Sequence, residues 1–400
     1  TTHTIVDVDG AFPAAALFNP LVPARLMETR VGPDFRTIDG AFQGTGATPA
    51  GKVTELQVAG RGGVPADASA AVLNITVAEP QGAGYITVFP CGDPQPLASN
   101  LNFTTAAVVA NTVVAKIGTA GKVCIFTSQT THTIVDVDGA FPAAALFNPL
   151  VPARLMETRA GPDFRTIDGK FQGTGATPAG KVTELQVAGR GGVPADASAA
   201  VLNITVAEPQ GAGYITVFPC GDPQPLASNL NFTTAAVVAN TVVAKIGTAG
   251  KVCIFTSQTT HTIVDVDGAF PAAALFNPLV PARLMETRAG PDFRTIDGKF
   301  QGTGATPAGK VTELQVAGRG GVPADASAAV LNITVAEPQG AGYITVFPCG
   351  DPQPLASNLN FTTAAVVANT VVAKIGTAGK VCIFTSQTTH TIVDVDGAFP

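Results

Sequence analysis

Apolar and polar side chains alternate at period two through most of this chain. In Ala70–Val77, Ala71, Leu73, Ile75 and Val77 project to one side, and Val72, Asn74 and Thr76 to the other. Thr54, Leu56 and Val58 share one face of Val53–Ala59. Tyr85–Phe89 follows the turn-forming run Glu79-Pro80-Gln81-Gly82-Ala83-Gly84 and stops at Pro90. Asn100–Thr104 alternates through Leu101 and Phe103. Val108–Ile117 is the most apolar stretch, either one central strand or two with a corner at Asn111. With Val123–Thr127, Thr131–Val137 and a strand near Arg25–Arg30, the pattern predicts about seven to nine strands and almost no helix.

The same series then recurs. His3, His132, His261 and His390 each open the segment H-T-I-V-D-V-D-G-A-F-P, a constant interval of 129 residues. The copies differ only where Val31 stands against Ala160 and Ala289, and Ala41 against Lys170 and Lys299. Solenoid units run about 20–50 residues, so this period is the size of a domain. Residues 1–13 read as the terminal strand of a preceding copy, and 14–142, 143–271 and 272–400 as three whole copies. The expected fold is all-β, a tandem array of β-sandwich domains with jelly-roll or immunoglobulin-like topology.

The joint from Phe141 to Pro152 holds three prolines and no Gly or Ser, the reverse of a flexible tether. Phe141, Leu146, Phe147 and Leu150 there need burial, which predicts an inter-repeat contact and a stiff rod. A domain radius of gyration near 14 Å implies a step of roughly 35–45 Å per copy. The third copy owns its final strand, so a covalent tandem is expected in preference to a polymer joined by strand donation.

Charged residues make up only 13% of the chain, against about 25% in ordinary domains. The net charge of −6, with scattered Lys and Arg, argues against a nucleic-acid surface. No apolar run reaches the roughly 18 residues of a membrane span, so no membrane insertion is expected. Cysteines fall two per copy: Cys91 and Cys124, Cys220 and Cys253, Cys349 and Cys382. An even count recurring with the domain predicts one disulfide per copy and an oxidising, extracellular setting.

Candidate chemistry is thin. His132, Asp136 and Asp138 share one strand face, but one His and two carboxylates fall short of a metal shell, so a solvated face is expected. Arg25, Glu28 and Arg30 read as ion pairs stapling the domain start to its body. Gly60-Arg61-Gly62-Gly63 lacks the Lys-Ser/Thr of a phosphate loop and reads as a turn. Asn74-Ile75-Thr76 and Asn102-Phe103-Thr104 match the glycosylation pattern from within strands. No catalytic residue, metal ligand or cofactor site is expected, and the chain does not read as an enzyme.

The motifs Pro23-Ala24-Arg25-Leu26-Met27-Glu28-Thr29-Arg30, Val72–Val77, Gly84–Gly92, Ser99–Phe103 and Gly121–Cys124 together resemble the P-A-R-L-L-D-T-R repeat domain of large secreted surface proteins of actinobacteria and related bacteria. Met27-Glu28 replaces the usual Leu-Asp. The resemblance implies an extracellular or cell-surface location and a paired cysteine, and transfers no catalytic residue. The resulting expectation is a structural protein whose rod of repeats assembles with itself into a filament, sheath or surface layer. The alternatives are an adhesin stalk or a carbohydrate-binding array. Surface glycans are then the candidate partners, though the absence of Trp and the single Tyr per copy weigh against sugar platforms.

Overall fold

A computed structural model describes residues 18–143, 145–274, 276–354 and 356–400. The expected strand over residues 1–13 lies outside the described residues. The first copy contains eight strands: β1 (Asn19–Glu28), β2 (Val53–Gln57), β3 (Ala68–Ala78), β4 (Gly84–Pro90), β5 (Leu101–Phe103), β6 (Val109–Lys116), β7 (Lys122–Thr127) and β8 (His132–Pro142). The other two copies repeat the series. Val108–Ile117 is thus one strand, with no corner at Asn111.

Within each copy the strands form two four-stranded antiparallel sheets, β1-β8-β3-β6 and β2-β7-β4-β5. The two sheets meet face to face over an apolar core. Leu26, Leu73, Ile75, Val135 and Val137 come from the first sheet, and Leu56, Ile86, Val88, Val123 and Ile125 from the second. Cys91 is bonded to Cys124, Cys220 to Cys253 and Cys349 to Cys382, each bridge closing a separation of 33 residues.

The second face of the first sheet decides the architecture. Every residue of β3 except Ser69 is buried, including Asn74 and Thr76 on the side opposite the core. What covers them is the neighbouring copy. Asn74 Nδ2 of the first copy donates to the Ser357 carbonyl of the third at 2.5 Å. Asn203 of the second donates to Ser99 of the first, and Asn332 of the third to Ser228 of the second. First, second and third copies therefore bond in a closed cycle.

The six sheets stand around one axis as a single six-bladed propeller, two blades per copy. β6 and its counterparts Val238–Lys245 and Val366–Lys374 are innermost. There the Thr112 hydroxyl donates to the Thr370 carbonyl, Thr241 to Thr112, and Thr370 to Thr241. Asparagines reinforce the ring: Asn111 Nδ2 lies 2.9 Å from Asn203 Oδ1, and its own Oδ1 accepts from the Thr241 amide at 3.1 Å.

These contacts overturn the expected line of separate β-sandwich domains, and with it the rod, its axial step and its assembly into a filament, sheath or layer. The copies join sideways through polar strand faces that alternation alone assigns to water. The joint residues are divided accordingly. Phe141 and Phe147 enter a buried axial cluster with Phe18, Phe270, Phe276 and Phe399. Leu150 packs on the core of the second copy, and Leu146 stays half exposed.

Candidate functional site

Wherever the second sheet of one copy meets the first sheet of the next, the surface folds inward. Three equivalent clefts result, of about 380, 360 and 410 Å³. In the first, Tyr85, Gln95, Ser99 and Asn102 face Arg154, Arg159, Asp163 and Phe164 of the second copy. Tyr214 and Tyr343 occupy the same place in the others, and the third cleft closes the cycle against Arg25, Arg30, Asp34 and Phe35.

Local structure presents each wall. Tyr85 is the second residue of β4, where the Ser128 hydroxyl accepts its amide at 2.7 Å, and its ring leans on Phe126 at 5.8 Å. Tyr85 remains 38% exposed. Opposite, the Arg159 guanidinium lies 4.1 Å over the Phe164 ring, which flattens that wall.

Beneath it runs an ion network. Arg154 Nε and Nη2 donate to the two oxygens of Asp265 at 2.8 and 3.2 Å, and Nη1 donates to Glu157 at 3.2 Å. Glu157 also accepts from Arg159 at 3.0 and 2.9 Å. Burial alone would lower the Arg154 guanidinium. The charge and hydrogen bond of Asp265 outweigh it and hold the group above its ordinary value. The Ser99 amide, reaching across the junction, adds a bond to Asp265 at 3.3 Å. The cleft floor is thus fixed by groups from both copies.

The arginine cluster of the sequence reading is present as ion pairs, with Asp136 and its counterparts as an additional partner. The expected solvated face of His132, Asp136 and Asp138 is not. Asp136 and Asp138 are buried between copies, and His132 Nδ1 bonds the Thr29 hydroxyl at 2.9 Å. Asn74 is buried and hydrogen-bonded, which leaves no room for a glycan there, while Asn102 stands half-buried at the cleft. Among the described residues no cluster has a metal-binding set of ligands. Sequence reasoning missed the clefts because the two walls of each come from different copies. The one available signal was Tyr85, the single tyrosine of its copy, next to the turn that precedes its strand.

No family model matches the chain, and no curated protein does. The expected membership of the P-A-R-L-L-D-T-R repeat family is therefore corrected, since the closed propeller also departs from its tandem sandwich architecture. Among solved structures, a chain from the triple jelly-roll fold and turret assembly of an archaeal virus aligns at 7% identity. It covers 96% of this chain and 91% of that one, with a TM-score of 0.20. The N-terminal CBM22-1–CBM22-2 tandem domain of Paenibacillus barcinonensis Xyn10C aligns at 11% identity over 63% of this chain and 99% of that one, TM-score 0.17. Scores this low carry no argument about fold or function.

Proposed function

We propose that the protein is a trivalent carbohydrate-binding protein that works outside the cell, with one glycan subsite in each inter-repeat cleft. The observation that carries this reading is the threefold recurrence of a concave site pairing an exposed tyrosine face with amide, guanidinium and carboxylate groups. An aromatic ring meets the apolar face of a sugar, and convergent polar groups take its hydroxyls. Charge supports a neutral, polyhydroxylated ligand over a phosphate. Arg154 and Arg159 are already matched by Asp265 and Glu157, and Asp163 adds a further negative group. The three disulfides support an oxidising compartment. Three weak subsites on one body favour a surface bearing many copies of the ligand, where avidity multiplies modest affinities.

Glycan-array screening followed by calorimetry tests the proposal. The protein should bind a defined glycan class with three sites per chain. Tyr214→Ala should lower the count to two, and the Tyr85→Ala/Tyr214→Ala/Tyr343→Ala variant should abolish binding while melting normally. No binding on the array, or undiminished binding by the triple variant, rules the reading out.

A further inference from the structure

One carboxyl group at each junction takes no part in the ion network just described. In the first copy β8 pairs Val137 with Leu73 and then Gly139 with Val72, so Asp138 between them is the extra residue of a β-bulge. Against β1 the register also passes from Val137 to Gly139. The bulge turns the Asp138 side chain into the seam with the third copy, where it is 1% exposed. Asp267 and Asp396 occupy the other two seams equally buried.

Each of these groups faces one amide. Asn358 Nδ2 sits 3.4 Å from both Asp138 oxygens, while Asn100 and Asn229 stand opposite Asp267 and Asp396. The amides cannot turn, because their oxygens accept the backbone N–H groups of Val346, Val88 and Val217 at 2.7–2.8 Å. In the latter two seams both carboxyl oxygens and the amide nitrogen are buried without a hydrogen-bond partner.

The surrounding charge offers no compensation. Asp138 has Asp136 on its own strand, and β1 contributes Arg25, committed to Asp136 and Glu28. Across the seam stand Ser357, Asn358 and, beyond Arg25, Tyr343. β3 supplies only Asn74 and Thr76, which do not titrate. A buried carboxylate with so little to hold it is strongly disfavoured, and the neutral acid costs far less there.

We propose that the ring is latched by three protonated carboxyl groups, Asp138, Asp267 and Asp396, and that alkaline solution unlatches the junctions and discharges the clefts. The discharge rests on reading those clefts as binding sites; the latch does not. The two are linked through Asp136, Asp265 and Asp394, two residues before each latch, which accept the Ser357, Ser99 and Ser228 amides at the cleft floors.

Burial first, then the neighbouring Asp136 charge, pushes Asp138 up to about 8 against the weak pull of Asn358, and the other two behave alike. In an opened junction the carboxyl returns to about 3.9. The closed form therefore holds a proton that the open form releases. Its stabilisation is complete in acid, declines as pH rises above about 4, and is gone once pH passes about 8.

Hydrogen exchange of the intact chain tests this. The Thr241 and Ser99 amides bond across the first seam and report its opening. Corrected for intrinsic exchange, their opening constant should rise about tenfold per pH unit between about pH 5 and 7.5, one proton per carboxyl. Asp267→Asn should flatten that slope at this seam and leave the other two seams as internal controls. The D138N/D267N/D396N variant should lose all three slopes and keep its ligand into the alkaline range. A pH-independent opening constant in the wild type, or an unaltered slope in D267N, overturns the latch. An intact slope in a protein that binds no glycan at any pH upholds the latch and removes the cleft reading.

Discussion

Replacing Arg154 by Met removes a guanidinium that serves two carboxylates, and the consequence can be worked from the exposure of the three groups. The arginine side chain is 11% exposed, and those of Glu157 and Asp265 are wholly buried. Methionine fills most of the volume, so packing changes little. The loss is electrostatic: Asp265 is left with the Ser99 amide at 3.3 Å, and Glu157 with Arg159. Removing one partner of a buried ion pair costs about 3–5 kcal/mol, because the survivor stays buried and charged. Two survivors place R154M toward the upper end, moderated by Arg159.

The pH dependence is signed as well. Without the arginine two buried negative charges lose their partner, a cost that rests on their being ionised. The penalty should therefore be smallest in acid and grow as pH rises. Urea unfolding at about pH 5 and pH 8, with hydrogen exchange to localise the effect, is the assay. Adding Asp265→Asn to R154M should recover part of the loss by removing the stranded charge. A destabilisation under about 1 kcal/mol, or one equal at both pH values, would refute the account of the cleft floor as a charge network built on buried groups.

Two further perturbations probe the scaffold. Replacing Cys220 and Cys253 by Ala opens a 33-residue loop and should lower stability by about 3–4 kcal/mol; equal melting of reduced and oxidised protein would contradict this. Gly247→Ala should destabilise more than an ordinary core overpacking of about 1–3 kcal/mol. Its Cβ would stand 2.2 Å from the Cys220 carbonyl oxygen, a backbone atom that cannot step aside, and a wild-type melting temperature would show that the turn yields.

Much of the local structure was legible in the sequence. The pattern of apolar positions placed β3, β4 and β7 nearly to the residue and left β6 as one strand or two, because one side of each faces an apolar core that selects Leu, Ile and Val. The association of copies was not legible, for a physical reason visible at Asn74, Thr76 and Asp136. A polar side chain turned toward water and one turned toward a hydrogen-bonding neighbour look the same in a pattern. Only coordinates distinguish them, by the absence of solvent on the second side of β3. The joint misled in the opposite sense: its phenylalanines do need burial, but they find it around a shared axis, not end to end. Tyr85 was legible as rare, but the count per copy does not reveal that the three tyrosines are set into equivalent clefts.

The axial threonines also make the centre depend on every repeat at once. Each hydroxyl gives to one neighbour while each carbonyl receives from the other. With one repeat gone, one hydroxyl and one carbonyl at the centre would each lose their partner. The hub is therefore finished only when the last repeat docks, through a side chain of three heavy atoms.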